Sequence, residues 1–333
     1  MATLEQVIAR QRRALARSVE APMLRPIMAD YDAALRRLLA RAIVLAEEHA
    51  ALIALGEDPF LVAIRLGRTE LLAEQVRTEI ERVTARAAGR VTAAQAVAFI
   101  RGIESASELV QSLAPAVRLN AAAVERMVAA FQQGSPLREL ALTLPEQAQA
   151  RYRTAFVQGV IEGRNPRVIA RQAADSLSQA RWRTLNQART ETMRAYRGAM
   201  QESYRENRGV VGGWVWVSAR GSRACAICWS LHGSVHPLDE PFASHPSCRC
   251  SAGPLPAGEK SPIVPGPEQF AKLPPGQQLQ VLGASKFRAY REGAIDLPDL
   301  VQRTESPRWG PGRREKSLVG ALGAGAQRFY RVA

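Results

Sequence analysis

All four cysteines of the 333-residue chain lie within 26 residues, as Cys225-Ala-Ile-Cys228 and His245-Pro-Ser-Cys248-Arg-Cys250. A Cys-x2-Cys pair followed by His-x2-Cys-x-Cys supplies more soft donors than one zinc ion needs. Zinc takes four nitrogen or sulfur ligands in a tetrahedron, and a short x2 spacing lets one tight turn present two of them. Cys225 and Cys228 read as one knuckle. His245 and Cys248 repeat the spacing and read as the other, with Cys250 competing for the place of His245 or Cys248. On a regular strand Cys248 and Cys250 point to the same side, so a site of four thiolates with His245 outside it is the alternative. Four protein ligands leave no open position, which makes the expected zinc structural. A catalytic ion would need a water position and a base, and Asp239 and Glu240 are close enough in sequence to keep that option open. A zinc knuckle also relieves this segment of the need for a large core, since the metal can supply folding free energy on the order of 10 kcal/mol.

The other histidines carry weaker signals. His232 and His236 lie between the knuckles and read by default as loop surface. His49 sits among helical residues and reads as satisfied or exposed. A hydrophobic fraction of 47% and a charged fraction of 23% belong to a folded chain long enough for two domains. No apolar run reaches the roughly 18 residues of a membrane span. The N-terminus reads as an amphipathic helix rather than a signal peptide, which implies a reducing compartment and favours metal over disulfide. The net charge of +14 suggests a polyanion nearby. Its source is almost entirely arginine, with no lysine before Lys260. The arginines are interleaved with glutamates, so charge-based contact with nucleic acid fits better than sequence reading.

Residues 1–144 read as a helical interaction platform. An apolar stripe over 26–55 includes Ile27, Tyr31, Leu35 and Leu38, and another over 59–87 includes Leu72, Val76, Ile80 and Val83. Gly89 reads as a stop. Shorter helices are expected at 92–100, 104–113, 119–133 and 136–142. Two more, 145–162 and 165–175, are split at Gly163-Arg164-Asn165-Pro166, and a long one follows over 178–207. On its apolar face Arg189 either snorkels at the edge of the core, pairs with a buried carboxylate or binds the zinc module. Trp214-Val-Trp-Val-Ser218 alternates as a strand. Its two tryptophans share a face, where they cover a small core or stack on bases. Five prolines between 254 and 267 suggest a linker, and 256–333 reads as an extended arm with short helices near 285–292 and 296–303.

The order of Ala188-Arg189-Thr190-Glu191 on a long helix, a Trp-containing strand, Cys225-x2-Cys228, Leu231-His232-Gly233 and His245-Pro246-x-Cys248-Arg249-Cys250 resembles the phage Mu F-like head morphogenesis family, also called minor head or minor capsid proteins. The resemblance covers 145–255 and extends weakly to Val281-Leu-Gly283 and Trp309-Gly310. An acidic residue that members often carry before the first cysteine is absent from Gly221-Ser-Arg-Ala-Cys225. The fold implied is mainly α, with a small α+β zinc-stabilised domain between the platform and the arm. The resemblance also implies a non-enzymatic virion protein bound to the portal and head interior. Its further partners would be the major capsid or scaffolding protein and, without sequence preference, packaged DNA, with no membrane contact. It would pass from the host cytoplasm into the particle. The competing readings are a cytoplasmic zinc-ribbon nucleic-acid binder, which should show a compact basic helix beside the metal, and a particle-delivered effector enzyme, which should carry its own catalytic constellation.

Overall fold

A computed structural model describes residues 2–65, 67–113, 137–220, 224–306 and 310–330. The expected helix at 119–133, Trp309 and the Gly221–Arg223 run lie outside the described residues. The fold is mainly helical with two small antiparallel sheets. In chain order come α1 (Leu4–Leu15), a π-helical turn (Ala16–Glu20), α2 (Ala21–Ala54), α3 (Pro59–Arg65), α4 (Gly67–Gln111), α5 (Leu137–Ile161) and α6 (Pro166–Glu206). Then follow β1 (Val211–Val217), α7 (Ala226–Leu231), β2 (Val235–Pro237) and β3 (Ser251–Pro256). The C-terminal part holds α8 (Gly266–Ala271), α9 (Pro275–Arg291), a 3-10 turn (Leu297–Leu300), β4 (Val301–Ser306), β5 (Gly310–Glu315), α10 (Leu318–Leu322) and a 3-10 segment (Gly323–Phe329). Among the described residues no helix is long and apolar enough to cross a membrane.

The chain forms two compact units that interleave along the sequence. One comprises 1–17, 95–134 and 193–333, and the other 18–94 and 135–192. The second unit is helical throughout. Ile27, Tyr31, Leu38, Val76, Ile80, Tyr152, Phe156 and Leu177 are buried in it, as the 3.6-residue spacing requires. The Tyr31 hydroxyl meets Thr184 Oγ1 at 2.8 Å. Arg189 lies 3.6 Å from Glu20, whose side chain is 7% exposed, so the arginine pairs with a buried carboxylate rather than merely snorkelling. The expected break at Gly163 is present: its φ of 64° ends α5 in the left-handed region, and Pro166 opens α6. Gly89, by contrast, does not stop α4. A mid-helix glycine costs only about 1 kcal/mol, and Val91, Ala98 and Phe99 carry the buried stripe onward. Nor does the chain break near Ser178, whose hydroxyl bonds back to the Asp175 carbonyl at 2.5 Å within one continuous α6.

In the first unit β1 is the centre of a sheet ordered β2-β1-β3. The expected strand is confirmed and begins earlier, at Val211. Trp214 stacks on His236 at 4.1 Å and Trp216 on Phe242 at 4.0 Å, and both tryptophans are buried. The pair therefore serves a core, not a base-stacking platform. α4 crosses α6 so closely at Gly102 that a Cβ there would sit 2.3 Å from the Tyr196 carbonyl oxygen.

The C-terminal residues correct the extended arm. Phe270, Leu282, Ala289, Ile295, Leu297, Leu300, Leu318 and Phe329 form a buried cluster with Ala226 and Trp229 of α7. Two circumstances hid this cluster. Its apolar residues are too sparse and irregular to show a period. Of the five prolines taken for linker punctuation, Pro254 and Pro256 lie in β3 and Pro265 and Pro267 start α8, and Pro275 and Pro298 likewise stand in the first turns of α9 and the 297–300 turn, where a missing N–H costs nothing.

Candidate metal centre

Cys225 caps α7 in extended backbone, and Cys228 lies within the helix. Three residues on a helix return the side chain to the same face, and their sulfurs stand 3.6 Å apart. The second arm is a tight turn. Ser247 adopts a left-handed φ of 57°, and the Cys248 amide bonds the His245 carbonyl at 3.3 Å. That turn brings His245 Nε2 to 3.4 Å from Cys225 Sγ and 3.2 Å from Cys228 Sγ. Cys250, just before β3, approaches Cys228 to 3.3 Å. Ligands at about 2.3 Å from a tetrahedral ion lie roughly 3.8 Å apart, so these spacings are close to the edges of one zinc polyhedron.

All five residues named from the sequence are thus brought together, in two triads that share Cys228. Cys225, Cys228 and His245 form one, and Cys228, Cys248 and Cys250 the other. Each triad could hold a metal ion such as zinc. The His245 ring is aimed for it: Nδ1 lies 2.8 Å from the Pro246 carbonyl, an acceptor that keeps a proton on Nδ1 and turns Nε2 toward the sulfurs. The sulfurs share protons. The hydrogen bond from Cys228, helped by His245, holds the Cys225 thiol down to about 4 against its burial. The same bond, seen from the other side, pushes Cys228 up, with Cys248 and Cys250 adding to it. Burial opposes a charged His245, but Cys225 and Cys248 outweigh it and raise its pKa to about 11.

His232 and His236 are corrections: both are buried, not loop surface. The Ser218 amide donates to His232 Nδ1 at 3.1 Å, and Nε2 lies 3.2 Å from Glu5 Oε1 without hydrogen-bond geometry. Burial, with Arg220 and Arg12 adding to it, lowers the His232 pKa to about 4. His236 is held between Ser234 Oγ at 2.8 Å and Glu240 Oε2 at 3.0 Å. Glu240 also faces Arg303 and Arg313 at 3.5 Å each, so the carboxylate considered as a base is engaged in this packing. His49 is buried with neither ring nitrogen hydrogen-bonded. It stands edge-on to Phe156 at 5.7 Å.

Sequence reasoning missed the residues around the cluster. Arg12 on α1 donates to the carbonyls of Val217 and Arg249, and Arg197 on α6 donates to that of Cys248. No spacing relates them to the cysteines. The other face of α7, with Ala226 and Trp229, belongs to the C-terminal core. The helix that presents two thiols therefore also anchors 266–329.

The mainly helical scaffold carries a small Cys/His cluster consistent with a metal-binding site. Residues 124–253, about two fifths of the chain, match the family described as phage Mu protein F like protein, and that match suggests a link to phage head morphogenesis. No curated protein matches the chain, and no solved structure matches it.

Proposed function

We propose that the protein is a structural, non-enzymatic minor head protein of a tailed phage, prophage or gene-transfer particle. It binds the portal from the head interior and assists head assembly, DNA packaging or ejection. The observation that carries this reading is the match to the Mu F-like family, whose matched span takes in all five cluster residues. The portal is the main partner, with the major capsid or scaffolding protein beside it. Most of the net charge of +14 belongs to the unit that holds the cluster, which supports contact with packaged DNA through phosphates. The protein is assembled in the host cytoplasm and resides in the virion. Quantitative mass spectrometry of purified DNA-filled particles tests this: a low, fixed ratio to the portal protein is expected, and absence from mature particles would overturn it.

The metal of this reading is a structural zinc. Cys225, Cys228 and His245 supply three ligands. Cys248 or Cys250 supplies the fourth, since both form a triad with Cys228. Metal analysis of the purified chain should give one zinc per molecule. Of Cys248→Ser and Cys250→Ser, the variant that loses the zinc identifies the fourth ligand.

A further inference from the structure

Arginines withdrawn from water in this protein generally find carboxylates. Arg189 faces Glu20 and Arg313 faces Glu240. Two arginines beside the cysteine cluster break the pattern. Arg197 is 3% exposed. It bonds Ser244 Oγ at 2.6 Å and the Cys248 carbonyl, and its guanidinium carbon lies 4.8 Å from the Phe242 ring centre. Arg12 is half-buried and donates through one nitrogen to the carbonyls of Val217 at 3.3 Å and Arg249 at 3.2 Å. Among the described residues neither has a carboxylate at ion-pair distance. A guanidinium taken out of water without an opposite charge is strongly disfavoured.

The candidate opposite charges are the sulfurs of the cluster: Arg197 holds the carbonyl of Cys248 itself, and Arg12 holds that of Arg249, between Cys248 and Cys250. The carbonyls the two arginines hold, at Cys248 and Arg249, belong to the segment that carries the last two thiols. Charge counting explains why a metal centre would need them. Zinc with three thiolates and one imidazole has a net charge of about −1, and with four thiolates about −2. A buried centre of either kind needs cations around it.

We propose that Arg12 and Arg197 are the counter-charges of an anionic metal–thiolate centre, positioning residues that clamp the 248–249 backbone and stabilise the thiolates. The inference rests on the reading that the cluster holds zinc. It adds that the centre is built from three separate stretches of the chain, since Arg12 lies far upstream of the matched span and Arg197 lies on α6.

The test uses the full chain with Arg12→Gln, Arg12→Lys, Arg197→Gln and Arg197→Lys. Zinc affinity is measured by competition with a chromophoric chelator, and the sulfur-to-metal charge-transfer band is recorded with cobalt(II) in place of zinc. The glutamine variants should bind zinc about 10–100-fold more weakly. Their cobalt band should move to lower energy, because thiolates that lose a neighbouring cation give up electrons more easily. The lysine variants should recover most of both properties. Wild-type affinity and band position in the glutamine variants would overturn the proposal. So would equal losses in glutamine and lysine variants, which would mean that the hydrogen-bond geometry matters and the charge does not. If Arg197→Gln does not fold, the half-buried Arg12 pair decides. A wild-type chain that binds neither zinc nor cobalt defeats the metal reading itself, and this inference with it.

Discussion

The two compact units solve the same problem by different means. The unit of 18–94 and 135–192 buries the stripes of long helices, chiefly Ala, Leu, Val, Ile and a few aromatics. Ion pairs such as Arg37–Glu79 and Arg77–Glu74 lie along the outside, where each adds little, and Arg189–Glu20 is a buried exception. The unit that holds the cluster buries Arg197, Arg313, His232 and His236 alongside its apolar residues. Its sheet has three short strands, and its α7 is six residues long. Elements this short do not persist on propensity alone. The lesson is that a unit able to bury a continuous apolar stripe can leave its charges in water, while one built from short elements needs a polar organiser. The Cys/His cluster is that organiser in the reading given above.

Removal of the metal should therefore separate the units most sharply. With Cys225→Ser, or with a chelator, we expect the cluster-bearing unit to lose stability on the order of 10 kcal/mol, enough to unfold it. Hydrogen exchange should rise across 211–256. It should also rise across 266–329, because α7 carries Trp229 into that core. Protection in α2 and α5 should persist. Unchanged exchange in 266–329 after verified metal loss would show that the C-terminal core stands without the knuckle.

Next in size is a backbone contact at the same junction. A Cβ at Gly266 would lie 1.9 Å from the Trp229 carbonyl oxygen and 2.8 Å from the His232 Cβ. Backbone cannot move aside as a flexible side chain does, so Gly266→Ala should cost about 3 kcal/mol or more. Gly89→Ala in α4 meets nothing within 4 Å and should gain about 0.5–1 kcal/mol from helix propensity. Opposite signs in chemical denaturation would confirm that one glycine is required and the other tolerated.

Acid should reach the cluster-bearing unit through His232. Its pKa in the folded protein is lowered to about 4 from the usual 6.5, so between those values the unfolded chain binds the extra proton. Stability then rises with pH through that window and is lost as pH falls from about 6.5 toward 4. The effect should be on the order of 2 kcal/mol. His232→Gln, measured beside wild type at saturating zinc, should flatten the slope, and an unchanged slope would assign it to other groups.

What the sequence made legible follows from the range of the interactions. The five cluster residues were readable because two short spacings encode the geometry locally. The helices of the second unit were readable from periodicity, apart from breaks assigned at Gly89, before Pro145 and near Ser178, which fall inside continuous helices. The strand with Trp214 and Trp216 was readable from alternation. The C-terminal core was not, because Phe270, Ile295, Leu300 and Phe329 gather with Trp229 from stretches well apart in sequence. Arg12, Arg197 and the burial of His232 were hidden for the same reason: each depends on partners far away in sequence, such as Val217 and Arg249 for Arg12.

The smallest expected effect lies in the helical unit and probes its lack of polar organisation directly. His49 is 1% exposed, and neither ring nitrogen has a hydrogen-bond partner. Burial lowers its pKa, with Glu48 opposing and Arg68 assisting, so the ring stays neutral. A neutral imidazole still loses its water without compensation here, whereas His232 and His236 exchange water for fixed partners. Replacing an unsatisfied buried polar group with an apolar one of similar size removes that penalty. His49→Leu should therefore stabilise the helical unit by about 1 kcal/mol, read as a raised denaturation midpoint with an unchanged slope. It should also reduce the loss of stability below pH 6.5, since the unfolded chain no longer gains a proton there. Destabilisation by His49→Leu would mean that the imidazole has a partner after all, and that His49 joins Tyr31–Thr184 and Arg189–Glu20 among the buried polar contacts of the helical unit.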